Sequence, residues 1–411
     1  MRSIKSLQDV VDWQLCTGCG ACAYACTENA VTLVNIENVG IRPRFDSEDC
    51  ASCTKCLPIC PGYLVDREQS QNGSVSMAET PEVGPALEIW EGYATDPEVR
   101  FKASSGGILS ALALYCLEQE KMEFVLHTGM DETKPWTNRT IQSRNRADIL
   151  SRAGSRYAPA SPCDGLKAIE ESAGPCVFIG KPCDAAAVTA LRKERPELSA
   201  KLGLVLSFFC AGTPSTRGTI DLLKSLDVVP QTASNVRYRG EGWPGKFKVQ
   251  YGNPTEEKSL SYMESWGRVS SYRPLRCHLC PDGVGSTADI SCGDAWQEFE
   301  DDGNRGLSIV VARTRRGQEI LHQAMAANYV TLQPSNPAAV IAAQPNLVQR
   351  QRELFGRLLA MKLLLVPSPK FRGFSLFRLW MAIPFMRKIE TVLGTMRRLI
   401  FRRMLLRRPV Y

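Results

Sequence analysis

Two apolar runs in the middle of the chain have the lengths and boundaries of buried strands, and each precedes a helical segment. The first strand is predicted over 175–180, with a loop over 181–184 and a helix over 185–194. The second strand is predicted over 202–209, and a helix follows from about 215 to 226. This alternation predicts an α/β domain with a largely parallel sheet and crossover helices.

A further helix is predicted directly behind a cluster of small residues, Ser104, Ser105, Gly106 and Gly107. Either serine is a suitable N-cap. The glycines weaken the first turn but let another group approach the backbone closely. Two interpretations stay open. A cofactor phosphate binds at the amino end of this helix, or the glycines only allow close packing of an ordinary capped helix.

The carboxyl-terminal residues 370–411 combine helical periodicity with strong positive charge. They hold eleven Lys and Arg and one acid, or +10; the whole chain is +7, so the rest sums to −3. Behind Pro384, the helical period groups apolar residues on one side of the helix and basic residues on the other. The apolar group is Ile389, Val392, Leu393, Met396 and Ile400, and Arg387, Arg398 and Arg402 lie opposite. The pattern is typical of a helix resting on an anionic membrane surface; a helix packed on a partner protein and a solvated basic tail are the alternatives.

The composition favours a reducing compartment. No uninterrupted apolar run reaches the ~18–20 residues that cross a bilayer, and residues 1–12 lack the apolar core of an export signal. Sixteen cysteines in an unexported chain favour metal or redox roles over disulfides. We therefore expect a cytoplasmic protein, peripheral to the inner face of the membrane if its tail binds lipid. The nearly neutral body gives no indication of a nucleic-acid partner.

Eight cysteines near the amino terminus form two runs with the same C-x2-C-x2-C-x3-C spacing. In two-cluster ferredoxins, three cysteines of one run and the fourth of the other hold each 4Fe–4S cluster. This rule assigns one cluster to Cys16, Cys19, Cys22 and Cys60. It assigns the second cluster to Cys26, Cys50, Cys53 and Cys56. A pair of zinc sites is the alternative, but these usually use two CxxC pairs with a longer gap. We predict an α+β ferredoxin-like module over residues 1–66 and a polar linker over 67–86.

Four later cysteines are candidates for a third 4Fe–4S cluster. Cys183 and Cys210 each follow a predicted strand, and the carboxyl ends of parallel strands share one edge of a sheet. The two are therefore predicted to be neighbours, and the CxxC pair of Cys277 and Cys280 would complete four ligands. The alternatives are a redox-active dithiol at the CxxC pair and buried free cysteines.

From about Trp90 to Gln333, the order of short motifs resembles the beta subunit of coenzyme F420 hydrogenases and dehydrogenases. Each motif is weak alone, but eight occur in the family's order. They are Ser104-Ser-Gly-Gly107, Gly154-Ser-Arg-Tyr157, Gly180-Lys-Pro-Cys183, Phe209-Cys-Ala-Gly212, Arg237-x5-Trp243, Cys277-x2-Cys280, Ala288-Asp-Ile-Ser-Cys-Gly-Asp-Ala-Trp296 and Gly306-x-Ser308.

The resemblance implies that the domain over 87–340 binds FAD and a 4Fe–4S cluster, and that a helical basic tail over 341–411 extends beyond it. It implies cofactor-binding roles for residues of four motifs. These are Ser104, Ser105, Gly106 and Gly107 near the phosphate, Gly154, Ser155 and Tyr157 along the flavin, Lys181 as a cation near the pyrophosphate or isoalloxazine, and Trp243 packed beside the flavin.

The resemblance implies an iron–sulfur flavoprotein oxidoreductase that transfers electrons between its clusters and a two-electron carrier. A flavin suits this role because clusters carry single electrons, whereas most organic substrates take two. The carrier would be a deazaflavin of the F420 type or another small organic substrate. The expected protein partner is an electron donor or acceptor, such as a redox subunit. The alternative function is a non-catalytic electron-relay subunit that docks on a partner redox or polysaccharide-pathway enzyme. No catalytic residue is assigned.

Overall fold

The computed structural model describes residues 3–46, 50, 53–67, 80–296 and 306–411. The strands found there are β1 (Val31–Ile36), β2 (Gly40–Phe45), β3 (Leu64–Asp66), β4 (Glu88–Ala94), β5 (Val125–Met130), β6 (Asn138–Ser143), β7 (Cys176–Gly180), β8 (Leu202–Phe208), β9 (Ala233–Arg237), β10 (Lys246–Tyr251), β11 (Glu256–Ser261), β12 (Ile290–Asp294), β13 (Ser308–Ala312), β14 (Val330–Pro334) and β15 (Lys370–Arg372).

The helices of the described chain follow in the same order. They are α1 (Leu7–Asp12), α2 (Ala21–Ala25), α3 (Pro97–Lys102), α4 (Ile108–Glu118), α5 (Arg146–Ser151), α6 (Leu166–Glu170), α7 (Pro182–Glu194), α8 (Pro196–Lys201), α9 (Thr216–Lys224), α10 (Tyr262–Val269), α11 (Leu275–His278), α12 (Arg315–Ala326), α13 (Pro337–Ala343), α14 (Pro345–Arg352), α15 (Leu354–Leu363), α16 (Leu376–Met381) and α17 (Phe385–Phe401). Short 3₁₀ turns cover Pro162–Gly165, Pro230–Thr232 and Ser270–Tyr272.

An eight-stranded sheet forms the centre of the molecule, in the order β14-β4-β13-β12-β8-β7-β5-β6. The four strands β5, β7, β8 and β12 are parallel neighbours, which confirms the predicted α/β architecture. Strands β13, β4 and β14 on one flank and β6 on the other pair antiparallel to their neighbours, a feature the sequence did not indicate. A separate three-stranded antiparallel sheet contains β9, β10 and β11.

Both faces of the central strands are buried, which explains their continuous apolar sequences. Val177 of β7 and Leu204 of β8 pack with α4 and α12 on one face. Phe178 and Val205, the next residue on each strand, pack with α7 on the other face. Cys19 belongs to this second cluster, so the amino-terminal module is packed directly on the sheet domain.

Helix α7 begins earlier than predicted. Its first residue is Pro182, which was predicted to lie in a loop. Proline suits the first helical position because its missing N–H would have no partner there and its fixed φ is already helical. Cys183 therefore lies in the first turn of α7, directly behind the end of β7.

The carboxyl-terminal residues are folded against the amino-terminal module. Strand β15 pairs in parallel with β3. Leu376 and Leu399 lie in the same apolar core as Val10 and Cys16. Most of the predicted linker, residues 68–79, lies outside the described residues, but Val83 and Ala86 are buried.

Candidate functional site

The first predicted cluster site is a small enclosed cavity in the amino-terminal module. Cys16, Cys19, Cys22 and Cys60 line it, together with Cys56, around a volume of about 20 Å³. Burial raises the pKa of the Cys16, Cys22 and Cys60 thiols. Metal ligation requires thiolates, so these cysteines need a cationic partner to become charged. The four residues of the predicted ligand set are thus brought together.

The fold of this module depends on contacts with the sheet domain. Ser161 Oγ donates to Gly18 O at 2.6 Å, and the Cys163 amide donates to Cys19 O at 3.0 Å. Gly20 has a φ of +89°, and a Cβ there would lie 2.9 Å from the backbone nitrogen of Asp164. The first cysteine run is therefore held in shape by the turn at 162–165.

The second predicted ligand set is also grouped. Burial, with the Cys26, Cys53 and Cys50 thiols beside it, raises the pKa of Cys56 to about 11. Cys26 and Cys53 also contribute to raising the pKa of Cys50, after burial. Cys26 of the first run thus lies with the second run, which is the crossed arrangement predicted from the spacing.

A second cavity brings together the four later cysteines. Cys183, Cys210, Cys277 and Cys280 line a space of about 50 Å³. The predicted proximity of Cys183 and Cys210 is confirmed, and α11 with the residues behind it supplies the CxxC pair. The Thr213 amide donates to Cys277 Sγ at 3.5 Å. Burial and the neighbouring Cys277 raise the pKa of Cys210 to about 12.

Cations surround this second cavity, and only Lys181 among them was predicted as a site residue. Lys181, Arg42, Arg276 and Arg350 line it. Arg350 donates to Cys210 O, and Arg276 donates to Pro61 O, so both are held in place by the backbone. Burial, followed by Arg273 and Arg357, lowers the pKa of His278 to about 3. The region is therefore positively charged and suited to an anionic group.

A larger cavity of about 290 Å³ opens at the carboxyl edge of the parallel strands. Such an edge is where open α/β sheets bind ligands. Seven of the nine predicted cofactor residues line this cavity. They are Ser104, Ser105, Gly107, Gly154, Ser155, Tyr157 and Lys181.

Gly106 and Trp243 lie behind the lining of the large cavity. The Gly106 amide donates to Ser308 Oγ at 2.9 Å, and a Cβ at Gly106 would lie 2.6 Å from Gly92 O. Gly106 therefore serves close packing of its loop on β4, which was the alternative explanation for this glycine. Trp243 Nε1 donates to Asp294 Oδ1 at 2.7 Å, and Asp294 lines the cavity.

The amino end of α4 faces the large cavity. Gly107 precedes the helix with a φ of +83°, and Ile108, Leu109 and Ser110 line the cavity. Ser155 Oγ donates to Ser104 Oγ at 2.9 Å, which joins the two predicted serine motifs. The first amides of a helix have no partner within it and attract phosphate. This end of the cavity can therefore hold a phosphate group.

Lys181 is buried and paired with Asp184. Its Nζ donates to Asp184 Oδ2 at 2.7 Å and to Ala160 O at 3.1 Å. Burial opposes the charge, but Asp184 and Cys183 outweigh it and raise the pKa of Lys181 above its ordinary value. Lys181 is thus a fixed cation whose charge is partly balanced by its own helix.

A group of aromatic side chains also lines the large cavity, and of these only Tyr157 was among the predicted cofactor residues. Tyr262 stacks on Trp296 with ring centroids 5.4 Å apart, and Tyr157 lies 4.8 Å from Trp266. The guanidinium carbon of Arg239 lies 4.6 Å from the centroid of the Tyr262 ring. Both terminal nitrogens of Arg239 donate to the Asp294 carboxylate. Trp296 and Asp294 belong to a quoted motif, whereas Arg239, Tyr262 and Trp266 carry no recognisable local signal.

The three cavities lie in series and share walls. Cys16, Thr17 and Gly18 line both the first cysteine cavity and the second. Lys181 and Cys210 line both the second cysteine cavity and the large one. Groups held in the three cavities would therefore be neighbours in this order.

In the residues that the structure describes, no three His, Cys, Asp or Glu side chains are arranged to hold a single metal ion. This finding concerns mononuclear sites. In a 4Fe–4S cluster each of four thiolates binds a different iron, which places the sulfurs further apart.

The chain matches three family models. Two of them describe the beta subunit of coenzyme F420 hydrogenase/dehydrogenase: its amino-terminal part matches residues 89–168, and its carboxyl-terminal part matches residues 175–338. Residues 15–62 match a 4Fe–4S dicluster domain, which covers both cysteine runs of the amino-terminal module.

Proteins with similar sequences are named as beta subunits of F420-dependent enzymes. The coenzyme F420 hydrogenase subunit beta of Methanosarcina barkeri is 27% identical over 256 residues, or 61% of this chain and 82% of the relative. The F420-dependent formate dehydrogenase 1 subunit beta of Methanococcus maripaludis is 26% identical over 61% of this chain and 62% of its own length. A chain of the F420-reducing NiFe hydrogenase complex from Methanosarcina barkeri superposes with a TM-score of 0.53. That match covers 68% of this chain and 95% of the other at 24% identity, so it establishes a shared fold.

Proposed function

Because the chain belongs to the coenzyme F420 hydrogenase/dehydrogenase beta-subunit family, we propose that it is an iron–sulfur flavoprotein oxidoreductase. It transfers electrons between three 4Fe–4S clusters and a two-electron carrier, using FAD in the large cavity. The single observation that supports this proposal best is the series of three cavities with shared walls.

The proposed ligand sets follow the grouping of the thiols. Cys26, Cys50, Cys53 and Cys56 hold the outermost cluster. Cys16, Cys19, Cys22 and Cys60 hold the next one. Cys183, Cys210, Cys277 and Cys280 hold the third cluster, between the amino-terminal module and the flavin. Lys181, Arg276 and Arg350 stabilise added negative charge there, which favours the reduced form of that cluster.

The residues of the large cavity fit FAD. The amino end of α4 and the Ser104–Ser155 pair offer donors to phosphate, and Lys181 and Arg152 contribute positive charge. Tyr157, Trp266 and the stacked pair of Tyr262 and Trp296 offer flat apolar surfaces to a ring system and exclude water from it. When bound, FAD supplies the conversion between one-electron and two-electron transfer.

The two-electron carrier that reacts with the flavin is proposed from the names of the relatives. Their names include F420 hydrogenase and F420-dependent formate dehydrogenase, so a deazaflavin or another planar two-electron carrier is the proposed partner of the flavin. The names also describe subunits, which supports a redox protein as the second electron partner.

Anaerobic reconstitution followed by iron, sulfide and flavin analysis tests this function. We expect about twelve iron atoms and one FAD per chain, since each cubane holds four irons. Cys277→Ser should lower the iron content by about four, while Cys176→Ser, a buried cysteine outside every proposed ligand set, should keep it.

A second variant tests the flavin separately. A side chain at Gly154 would clash with the protein's own backbone, because its Cβ would lie 2.7 Å from Arg239 O. Both residues line the large cavity, so the clash would displace its wall. Gly154→Val should therefore lose flavin and retain iron. About eight irons without flavin in the native chain would contradict the proposal and favour an electron relay.

A further inference from the structure

Exposed apolar side chains are concentrated at the carboxyl end of the chain. Of the sixteen large hydrophobic side chains exposed in the described residues, twelve lie within 363–411. Soluble monomers rarely expose contiguous apolar patches of more than a few hundred Å². The concentration therefore indicates a surface that is covered by something in the cell.

Helix α17 has two distinct faces. Thr391, Thr395 and Leu399 are buried against the body of the protein. At about 100° per residue, the apolar stripe lies roughly 130° around the helix from this buried row. The stripe consists of Phe385, Ile389, Leu393 and Ile400, all exposed. The helix is thus fixed to the protein by one face and presents an apolar stripe on another.

Helix α16 adds exposed apolar residues beside the stripe of α17. Phe377 and Met381 on α16 and Met386 at the start of α17 are all more than half exposed. Phe401, at the other end of α17, is 74% exposed. We name the exposed apolar residues of α16 and α17 the apolar surface. Of the predicted stripe, Ile389, Leu393 and Ile400 are exposed, whereas Val392 and Met396 are half-buried.

Positive charge borders the apolar surface. Lys388 and Arg397 lie on the two sides of the stripe, and Arg402 and Arg403 follow the helix. The acid of this region, Glu390, is paired with Arg387, which also pairs with Glu353 of the protein body. The net charge of +10 over 370–411 already includes this acid, and Arg372, Arg387 and Arg407 pair with acids of the protein body.

The apolar surface with its basic border has the form of a helix that binds in the plane of a membrane. Among the described residues, no helix is long and apolar enough to cross a bilayer. An amphipathic helix with flanking cations instead buries its apolar face at the boundary between headgroups and acyl chains. Long basic side chains then extend to the headgroups.

We propose that the apolar surface of α16 and α17 rests on a membrane rich in anionic lipid. Charge complementarity favours lipid phosphates over a protein partner, because a cationic border around an apolar stripe is what an anionic headgroup layer requires. This inference goes beyond the proposed electron-transfer function and does not depend on it.

Vesicle sedimentation with the full, cluster-loaded chain tests the inference. We expect the protein to bind vesicles of phosphatidylcholine and phosphatidylglycerol, and to bind pure phosphatidylcholine at least about tenfold more weakly. Leu393→Asp should lower the partition coefficient at least about tenfold. Arg397→Glu should lower it about tenfold on anionic vesicles.

Matched controls lie elsewhere on the surface. Met263 is 68% exposed and Val229 is 59% exposed, both outside the carboxyl-terminal region. Met263→Asp and Val229→Asp should therefore bind vesicles like the native chain. Unchanged iron content in every variant shows that the fold is retained.

Two outcomes would overturn the inference. The native chain could remain in the supernatant with anionic vesicles, or Leu393→Asp could bind as well as Met263→Asp. Light scattering tests whether a second copy of the chain occupies this surface instead. If the native chain is a dimer that Leu393→Asp dissociates, and if it does not bind vesicles, the surface is a dimer interface and the inference is wrong.

Discussion

Lys181 donates to Asp184 Oδ2 at 2.7 Å, and Lys181 lies in the wall between the second cysteine cavity and the large cavity. Both side chains are almost fully buried. The pair joins the end of β7 to the first turn of α7, the turn that also carries Cys183. One ion pair therefore positions a cation beside both the proposed third cluster and the proposed flavin.

Removing this cation should destabilise the protein. Lys181→Met leaves the buried Asp184 carboxylate without its partner, and breaking a buried pair on one side costs about 3–5 kcal/mol. The free energy of unfolding, from denaturant titration under anaerobic conditions, measures the effect. The double variant Lys181→Met/Asp184→Asn removes the stranded charge and should recover part of the loss. Equal stability of the single variant and the native chain would contradict this account.

The crossed ligand sets predict different effects for two fourth-position cysteines. Cys60→Ser should disturb the cluster next to the second cysteine cavity, whereas Cys26→Ser should disturb the outermost cluster. Each should lower iron by about four atoms per chain. After partial reduction, electron paramagnetic resonance should show different signals missing in the two variants. Loss of the same signal in both would reject the assignment.

A histidine in the large cavity gives the protein a defined pH dependence. Burial and then the Arg152 charge lower the pKa of His127 to about 4, and its Nε2 lies 2.8 Å from Ser143 Oγ. Between pH of about 6.5 and 4 the unfolded chain binds a proton that the folded chain does not. The free energy of unfolding should therefore fall as the pH falls through this window. His127→Gln should lose less stability between pH 7 and pH 5; an identical loss would show that other groups cause it.

Arg67 should control the attachment of the carboxyl-terminal segment. Its buried side chain donates to Gly373 O and lies 4.6 Å from the centroid of Phe374. Arg67→Met leaves the partly buried carbonyl of Gly373 without this donor, at a cost of about 1 kcal/mol. Hydrogen exchange of the β15 amides should then accelerate. Arg372→Met is the control, because Arg372 is largely exposed and its ion pair with Asp66 is 3.7 Å long. Equal acceleration in both variants would argue against a special role for Arg67.

The cysteine sites could be predicted because their signals are local. The two runs carry their spacing within eleven residues each, and Cys183 and Cys210 follow strands whose apolar sequences are unmistakable. Parallel packing of β7 and β8 then brings the two thiols to one edge, as expected.

The charged and aromatic lining of the cavities could not be predicted in this way. Arg42 comes from the amino-terminal hairpin, and Arg350 comes from α14. In sequence, both resemble any surface arginine, and only long-range packing turns them toward the second cysteine cavity. The same holds for Arg239, in the loop behind β9, and Tyr262, the first residue of α10. Arg239 donates to Asp294 of β12 and lies over the Tyr262 ring, and only the folded chain brings these three residues together.

The attachment of the tail also has no sequence signal. Three residues of β15 pair with three residues of β3, which are too few to show a strand pattern. Arg407 Nε forms an ion pair with Asp12 Oδ2 at 2.7 Å, although nearly the whole chain separates the two residues. Deleting 370–411 would therefore remove part of the fold as well as the proposed membrane surface, which is why point variants are the better test.

The pairing of β3 with β15 has a consequence for biosynthesis. The ribosome releases β3 early, but the strand that completes its sheet, and Arg407, are synthesised only after the whole sheet domain. Contacts of such long sequence separation form late in folding. The amino-terminal module can therefore reach its final packing only after the sheet domain and residues 370–407 have been made. Cluster insertion into this module should follow that step, so the iron–sulfur assembly machinery meets a chain whose sheet domain is already synthesised.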